Sequence, residues 1–256
     1  INLMVDKSEL ERRTADAGRV YTNFDDVYLP SVSTVLDEIP EPDGLQYWRE
    51  KYDGEDGRKD WRDILTYKSN RGTLIHYHLL NQFYDGDMWG IEEQNSKESL
   101  QSNGNWERFE EDLEFAEEFF EEVSEKYCIT EQNVLEVECF VTNTDIGYAG
   151  QFDMLHIDCD GNICLSDIKT SKRVYKKHKL QLTAYAEALN FDVDTLEVIR
   201  VHPDSDSGEV SPKRETVSYE WLEDRDELLD EFIELRNGMD SVESDFKDIV
   251  DDGRKG

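Results

Sequence analysis

Two short stretches of the sequence carry charged side chains at positions where buried strands usually have apolar residues. The stretch GQFD ends at Asp153, and the stretch SDIKT contains Asp167 and Lys169. Because side chains alternate along a strand, Asp167 and Lys169 share one face, while Ile168 between them takes the other. A carboxylate and an ammonium group then stand side by side, an arrangement suited to holding a cation and acting on a phosphate ester.

The hairpin between these stretches decides whether Asp153 can join Asp167. The two carboxylates meet on one face if the hairpin loop has an odd number of residues. A three-residue loop over Cys159, Asp160 and Gly161 satisfies this condition. Its expected conformation is a type I turn followed by a left-handed residue, for which Gly161 is suited. The sequence therefore predicts that Asp153 and Asp167 converge.

Two converging carboxylates predict an oxygen-ligand site for Mg²⁺ or Mn²⁺. The backbone carbonyl of Ile168 is a candidate for a further ligand. Beside the metal, Lys169 could orient or deprotonate an attacking water, while the metal stabilises charge that develops on phosphoryl oxygens. The alternative is a surface ion pair on an exposed strand. A buried strand, where unpaired charge is costly, is favoured by the apolar residues Ile163, Leu165 and Ile168.

These residues resemble the motifs of the PD-(D/E)XK nuclease superfamily, and within it the branch of RecB-like exonucleases and related CRISPR-associated nucleases. The resemblance covers residues 71–201. In that family a helix with the pattern G-T-x-x-H supplies a metal-binding histidine, and the stretch GTLIH ends here at His76. The G-x-x-D motif corresponds to Asp153, and the D-x-K motif ends in Asp167 and Lys169. The resemblance implies that His76, Asp153 and Asp167 bind the metal.

A fourth family motif, Q-x-x-x-Y, corresponds to QLTAY and gives Gln181 and Tyr185, which share one side of a helix and are implied to be catalytic.

Three residues of the site have more than one interpretation. His78 lies only two residues from His76, and Tyr185 could simply pack in an apolar stripe. Glu138 could lie near the site as an outer carboxylate or as a ligand of a second metal, or it could be an incidental glutamate in an acidic chain.

The cysteines bear on which kind of family member this is. Relatives with an iron-sulfur cluster carry three clustered cysteines near the C-terminus, whereas residues 201–256 contain none, so the resemblance implies a member without the cluster. The four cysteines form no C-x-x-C pair, which also gives no support to a zinc knuckle. We expect them to be buried thiols on strands: Cys128, Cys139, Cys159 and Cys164.

A basic segment follows the D-x-K stretch. It contains Lys172, Arg173, Lys176 and Lys177 in a chain otherwise dominated by acids. Its position favours contacts with the phosphates of DNA, and a solvated loop is the alternative. Because no base-reading motif accompanies the segment, recognition is expected to be independent of DNA sequence.

The elements that must position these residues alternate in type. Residues 27–52 form an N-terminal cap, and residues 85–105 are predicted to be a loop or lid because they are polar and contain three glycines. Helices and strands are predicted from apolar periodicity, with helices at about 61–83, 106–127, 177–190 and from 220, and strands at 134–141, 148–157, 162–170 and 196–201.

This order predicts an α/β fold, a mixed central sheet flanked by helices with helical additions, which is the restriction-endonuclease-like core that the resemblance implies. We expect one domain with a mainly helical part at 1–130, the catalytic sheet and helix at 131–203, and a helical part at 204–256.

The charge of the chain indicates its medium. The formal net charge is −33, from 61 Asp and Glu against 28 Lys and Arg. We expect a protein of a halophilic archaeon or its virus, because molar salt screens such repulsion within about 3 Å. Disorder is disfavoured by 11% aromatic residues. With no apolar run long enough for a bilayer and no signal segment, we expect a protein of the high-salt cytoplasm, away from membranes.

The combined expectation is a metal-dependent DNA exonuclease in repair, recombination or viral genome processing. An endonuclease with the same chemistry is one alternative. A DNA-binding protein without catalysis and an acidic mimic of DNA are the others. The complete set His76, Asp153, Asp167 and Lys169 argues against the first of these two, and the basic segment argues against the second.

Overall fold

The computed structural model describes residues 11–15, 18–22, 28–55, 59–202 and 215–239, and the statements below refer to these residues. A five-stranded sheet has the order β4-β5-β6-β7-β8, and its strands are β4 (Val134–Asn143), β5 (Tyr148–Ile157), β6 (Ile163–Lys169), β7 (Thr195–Arg200) and β8 (Glu215–Glu220). All neighbours pair antiparallel except β6 and β7, which are parallel. The predicted mixed α/β fold is confirmed, and β8 is a strand that the sequence pattern did not predict.

A second, three-stranded antiparallel sheet precedes this core. It consists of β1 (Glu11–Ala15), β2 (Gly18–Thr22) and β3 (Tyr28–Pro30). Periodicity did not predict it, because each strand is too short to show alternation. The small sheet meets the large one where Ser31 forms a bridge with Ala149 on β5.

The described residues also form α-helices. Their bounds are α1 (Val32–Leu36), α2 (Asp43–Lys51), α3 (Trp61–Leu80), α4 (Ile91–Ser102), α5 (Trp106–Tyr127), α6 (Lys176–Glu187) and α7 (Trp221–Asn237). Helix α6 makes the connection between the parallel strands β6 and β7, as a parallel pair requires. Among the described residues, no helix is long and apolar enough to cross a membrane.

Helix α4 corrects the prediction of a loop at 85–105. Ser96 and Leu100 are its buried residues, so it shows almost no apolar stripe. All three glycines that suggested a loop lie outside the helix, since Gly86 and Gly90 precede it and Gly104 follows it. The helix is held by packing along α3, where the side chains of Asn70 and Ser99 are hydrogen-bonded at 2.8 Å.

The two faces of the sheet pack against different helices. Leu165, Leu196 and Val198 lie in an apolar core with α1, α6 and α7. Ile168, Ile199 and Val201 lie in a second core with α3 and α5. Alternation along β6 therefore directs Asp167 to the side of α6, like Leu165, and directs its neighbours to the side of α3 and α5.

The β5–β6 hairpin has the predicted loop. Met154 pairs with Ser166, and the Asp158 backbone N–H donates to the Asn162 carbonyl at 3.0 Å, which leaves residues 159–161 as the loop. Gly161 has φ of +89°, the left-handed conformation expected at this position. The register places Asp153 next to Asp167 along the strands.

The cysteine prediction was wrong for two of four residues. Cys139 and Cys164 are buried thiols on strands, but Cys128 and Cys159 form a disulfide. Cys128 follows the last turn of α5, and Cys159 lies in the hairpin loop. Their separation of 31 residues gave no signal, because only the packing of α5 against the hairpin end brings them together.

Candidate active site

Helix α3 brings His76 to the end of β6. A methyl group on Gly72 would lie 3.3 Å from the Thr170 side-chain oxygen, so the glycine lets the helix approach closely. His76 Nδ1 is 3.4 Å from Asp153 Oδ2. His78 instead lies near α5, with its Nδ1 4.0 Å from a Glu117 carboxylate oxygen. Of the two histidines, His76 is therefore the one at the site.

Asp153, Asp167 and Lys169 come together as the hairpin register predicts. The Ile168 backbone N–H donates to Asp153 Oδ2 at 2.6 Å, which holds this carboxylate against β6. Lys169 Nζ lies 2.9 Å from Asp167 Oδ1 and 2.7 Å from Asp167 Oδ2. The Ile168 backbone also forms a hydrogen bond with His76, so this predicted backbone ligand lies beside the histidine.

Gln181 and Tyr185 lie one turn apart on α6 and face the same cavity as His76. Gln181 Nε2 donates to Tyr185 Oη at 2.9 Å. The Tyr185 ring packs so close to β5 that a methyl group on Gly150 would lie 2.4 Å from its Cε1. Tyr185 thus both packs in the core and presents its hydroxyl to the cavity.

Glu138 joins the site by an unusual backbone conformation. Its φ is +48°, which interrupts the alternation of β4, and its carbonyl accepts a hydrogen bond from Gln151 Nε2 at 3.0 Å. One donor atom each of His76, Glu138 and Asp153 lies within 4.8 Å of the other two. One imidazole nitrogen and two carboxylates form a donor set that fits a divalent cation. The structure thus places Glu138 among the metal-ligand candidates rather than apart from them.

A sequence model of the PD-(D/E)XK nuclease superfamily matches residues 44–250. The chain belongs to this superfamily. No curated protein sequence matches the chain. Membership indicates a nuclease that uses a divalent metal and acts on nucleic acid, and the donor set of His76, Glu138 and Asp153 agrees with that chemistry.

Burial makes the carboxylates of this PD-(D/E)XK site hard to ionise without a cation. Burial, and then the Asp153 charge, raises the pKa of Glu138 to about 8. Burial also raises the pKa of Asp153, and it raises the pKa of Asp167 to about 6 against the opposing effect of Lys169. A metal cation would reverse these shifts, because it stabilises the charged carboxylates.

The two nitrogen-bearing side chains of the site, His76 and Lys169, have different protonation states near pH 7. Burial, together with Lys169, lowers the pKa of His76 to about 4, so this imidazole is neutral near pH 7 and can offer a lone pair. Burial alone would lower the pKa of Lys169, but Asp167 and Asp153 outweigh it and raise that pKa. Lys169 is therefore an ammonium ion rather than a free base.

A cavity of about 700 Å³ opens above these residues. His76, Glu138 and Asp153 line it from the large sheet and α3, and Arg12 and Arg19 line it from the small sheet. Sequence reasoning missed both arginines, because only the fold shows that β1 and β2 reach the site. Arg12 forms an ion pair with Glu92 of α4, so the small sheet and α4 meet across the cavity.

The basic segment lies outside this cavity. Its four members are exposed, and none is among the residues that line the cavity; they are Lys172, Arg173, Lys176 and Lys177. Lys176 forms an ion pair with Glu231 of α7. Phosphate binding by this segment stays a prediction, and the structure limits it to nucleic acid outside the cavity.

Proposed function

We propose that this PD-(D/E)XK protein is a DNA exonuclease of the RecB-like branch that uses Mg²⁺ or Mn²⁺ and has no sequence preference. The observation that carries the proposal is the convergence of the His76, Glu138 and Asp153 donors beside the Asp167–Lys169 pair, at the base of a cavity. The Lys169 ammonium group beside the ligands favours a catalytic site, because a purely structural ion site needs no such group.

The residues have distinct roles in hydrolysis. A bound divalent cation would supply the charge that stabilises negative oxygens on phosphorus. Asp153, Glu138 and neutral His76 would hold it, with Asp167 nearby. Lys169, as an ammonium ion, orients the attacking water and stabilises negative charge. Of the two roles predicted for it, orienting or deprotonating the water, its charge supports the first.

The cavity wall can bind the phosphate backbone. Burial raises the pKa of Tyr185 well above 10, so near pH 7 its hydroxyl is protonated and can donate a hydrogen bond. The Gln181 amide lies beside it, and Arg12 and Arg19 of the small sheet add positive charge to the cavity lining. Such contacts carry no base information, which supports recognition without sequence preference.

The walls of the cavity favour action at a DNA end. Residues of the small sheet and of α4 line it and are joined by the Arg12–Glu92 ion pair. A terminal nucleotide can enter such a space more readily than the middle of a continuous duplex. The net charge of −33 supports molar salt as the working medium, consistent with the proposed halophilic origin.

One assay tests the proposal. The full chain is incubated in molar KCl and Mn²⁺ with end-labelled linear DNA and with closed circular DNA. We expect digestion of the linear DNA and an intact circle. Nicking of the circle at a comparable rate would show an endonuclease instead, and an unchanged linear substrate with both Mn²⁺ and Mg²⁺ would overturn the nuclease assignment.

A further inference from the structure

A second cluster of side chains of types that can bind a metal lies buried on one face of the large sheet. His156 on β5 pairs with Cys164 on β6, and Ser166 on β6 pairs with Glu197 on β7. All four are at most 3% exposed. On β6, Cys164 and Ser166 alternate with Asp167, so they occupy the face that packs against α3 and α5 and not the face of Asp167.

The contacts within this cluster are short. Ser166 Oγ donates to Glu197 Oε2 at 2.8 Å, and His156 Nε2 lies 3.0 Å from the same hydroxyl oxygen and 3.2 Å from Glu197 Oε2. The Cys164 thiol has a weaker contact, 3.7 Å from the Asn162 carbonyl. His156 Nδ1 is buried with no hydrogen-bond partner among the described residues.

We propose that His156, Cys164 and Glu197 bind a structural Zn²⁺ ion at a site separate from the catalytic centre. One donor atom of each lies within 4.8 Å of the other two. Nitrogen, sulfur and carboxylate oxygen are the ligands that zinc takes in proteins, and a thiolate distinguishes this set from the oxygen-rich catalytic set. The Ser166 hydroxyl lies beside the same point and can complete the coordination.

Charge balance supports a cation at this point. A charge buried inside a protein is costly unless an opposite charge compensates it. Zn²⁺ with one thiolate and one carboxylate sums to zero charge. Burial raises the pKa of Cys164 to about 12, so the thiol stays protonated without a metal, and binding of Zn²⁺ would release that proton to solvent.

The location explains what the ion would do. Its ligands come from β5, β6 and β7, so one ion would join three strands, two of which carry the catalytic carboxylates Asp153 and Asp167. Because the cluster is sealed, the metal would enter as the chain folds and would stabilise the folded state.

Cobalt provides a specific test. The full chain, with its disulfide oxidised, is unfolded with a chelator and refolded in molar KCl with increasing Co²⁺. Thiolate-to-cobalt charge-transfer absorption reports only a sulfur ligand, and the catalytic donors His76, Glu138 and Asp153 contain none. We expect this absorption to saturate at one Co²⁺ per chain and to disappear on addition of Zn²⁺.

Two matched variants identify the thiol. Cys164→Ser should abolish the absorption, while Cys139→Ser, which changes the other buried free thiol, should retain it. No charge-transfer absorption in the wild-type chain would overturn the proposal, as would absorption that survives in Cys164→Ser. If Cys164→Ser does not fold, X-ray absorption of the zinc-refolded wild-type chain decides: one sulfur ligand supports the site, and only nitrogen and oxygen ligands refute it.

Discussion

Strand β6 carries two polar clusters on opposite faces. Both belong to the same strand, but only one of them adjoins the cavity. Asp167 and Lys169 stand at its C-terminal end: Asp167 is itself buried, but the Lys169 side chain is 19% exposed, and the neighbouring Asp153 lines the cavity. Cys164 and Ser166 lie on the other face of β6, nearer its N-terminal end, and are completely buried. A group that must exchange substrate and product needs the open end, whereas a sealed cluster can only hold the fold together. Contact with the cavity, made by Asp153, His76 and Glu138 and by no member of the second cluster, therefore separates the catalytic cluster from the structural one.

The largest expected effect tests this separation on neighbouring residues. Asp167→Asn removes a charge from the catalytic pair, so cleavage should fall at least about a hundredfold while the melting temperature changes little. Ser166→Ala breaks hydrogen bonds to Glu197 and His156, so it should lower the melting temperature and leave the cleavage rate within about threefold of wild type. Single-turnover cleavage and thermal unfolding measure the two effects. If Asp167→Asn keeps more than about a tenth of the wild-type cleavage rate, the distinction between a catalytic and a structural cluster fails.

Gly150 offers a steric test of the Tyr185 position. In Gly150→Ala the new methyl group would meet the Tyr185 ring at 2.4 Å, so the ring must move or the strand must shift. We expect a loss of about 1–3 kcal/mol in the free energy of unfolding, together with about a tenfold slower cleavage step. Gly44→Ala on α2 is the control, because nothing lies within 4 Å of its added methyl group. Unchanged cleavage in a folded Gly150→Ala protein would show that Tyr185 only packs.

Much of the catalytic cluster could be predicted because its residues obey local rules. Alternation put Asp167 and Lys169 on one face, and an odd loop brought Asp153 to them. Glu138 could only be a candidate, because the left-handed backbone that brings it to the site has no sequence signature. Arg12 escaped prediction since it lies on a short strand that packs against distant elements.

The sealed cluster and α4 show a different limit. His156, Cys164 and Glu197 lie on three strands, so their spacing along the chain forms no motif. Helix α4 escaped prediction because few of its residues are apolar, and its packing along α3 decides its conformation. Local patterns thus predict elements and single hairpins, whereas contacts across several elements have to be seen in the fold.

The pH dependence of stability should sharpen the contrast between open and sealed sites. Because the pKa of Glu138 is raised to about 8 in the folded chain, the folded state binds more protons than the unfolded state between about pH 4.5 and 8. The metal-free protein should therefore lose stability as the pH rises through this window, and Mn²⁺ should restore it. In Glu138→Gln both trends should weaken. Parallel melting curves for the two proteins in a chelator and in Mn²⁺, with matched salt, would measure this; identical pH profiles would contradict it.

A smaller effect distinguishes cations inside the cavity from those outside it. Arg12→Ala should weaken DNA binding in Ca²⁺ about tenfold, because Arg12 lines the cavity. Replacing Lys172, Arg173, Lys176 and Lys177 together with Ala should weaken binding at low salt, with a contribution that fades as salt rises. The single-turnover cleavage rate should change less than about threefold in the quadruple variant. If the quadruple variant binds DNA as tightly as wild type at the lowest salt where it folds, the basic segment does not bind phosphate and is only a solvated loop.

The central claim is that His76, Glu138, Asp153, Asp167 and Lys169 form a metal-dependent hydrolytic centre. Its most direct test is the release of end label from linear DNA in molar KCl by wild type and by Lys169→Ala, each with Mn²⁺ and with a chelator. We expect release by wild type with Mn²⁺, none with the chelator, and at least about a hundredfold slower release by Lys169→Ala. Release that persists in the chelator, or at the wild-type rate in Lys169→Ala, would contradict it.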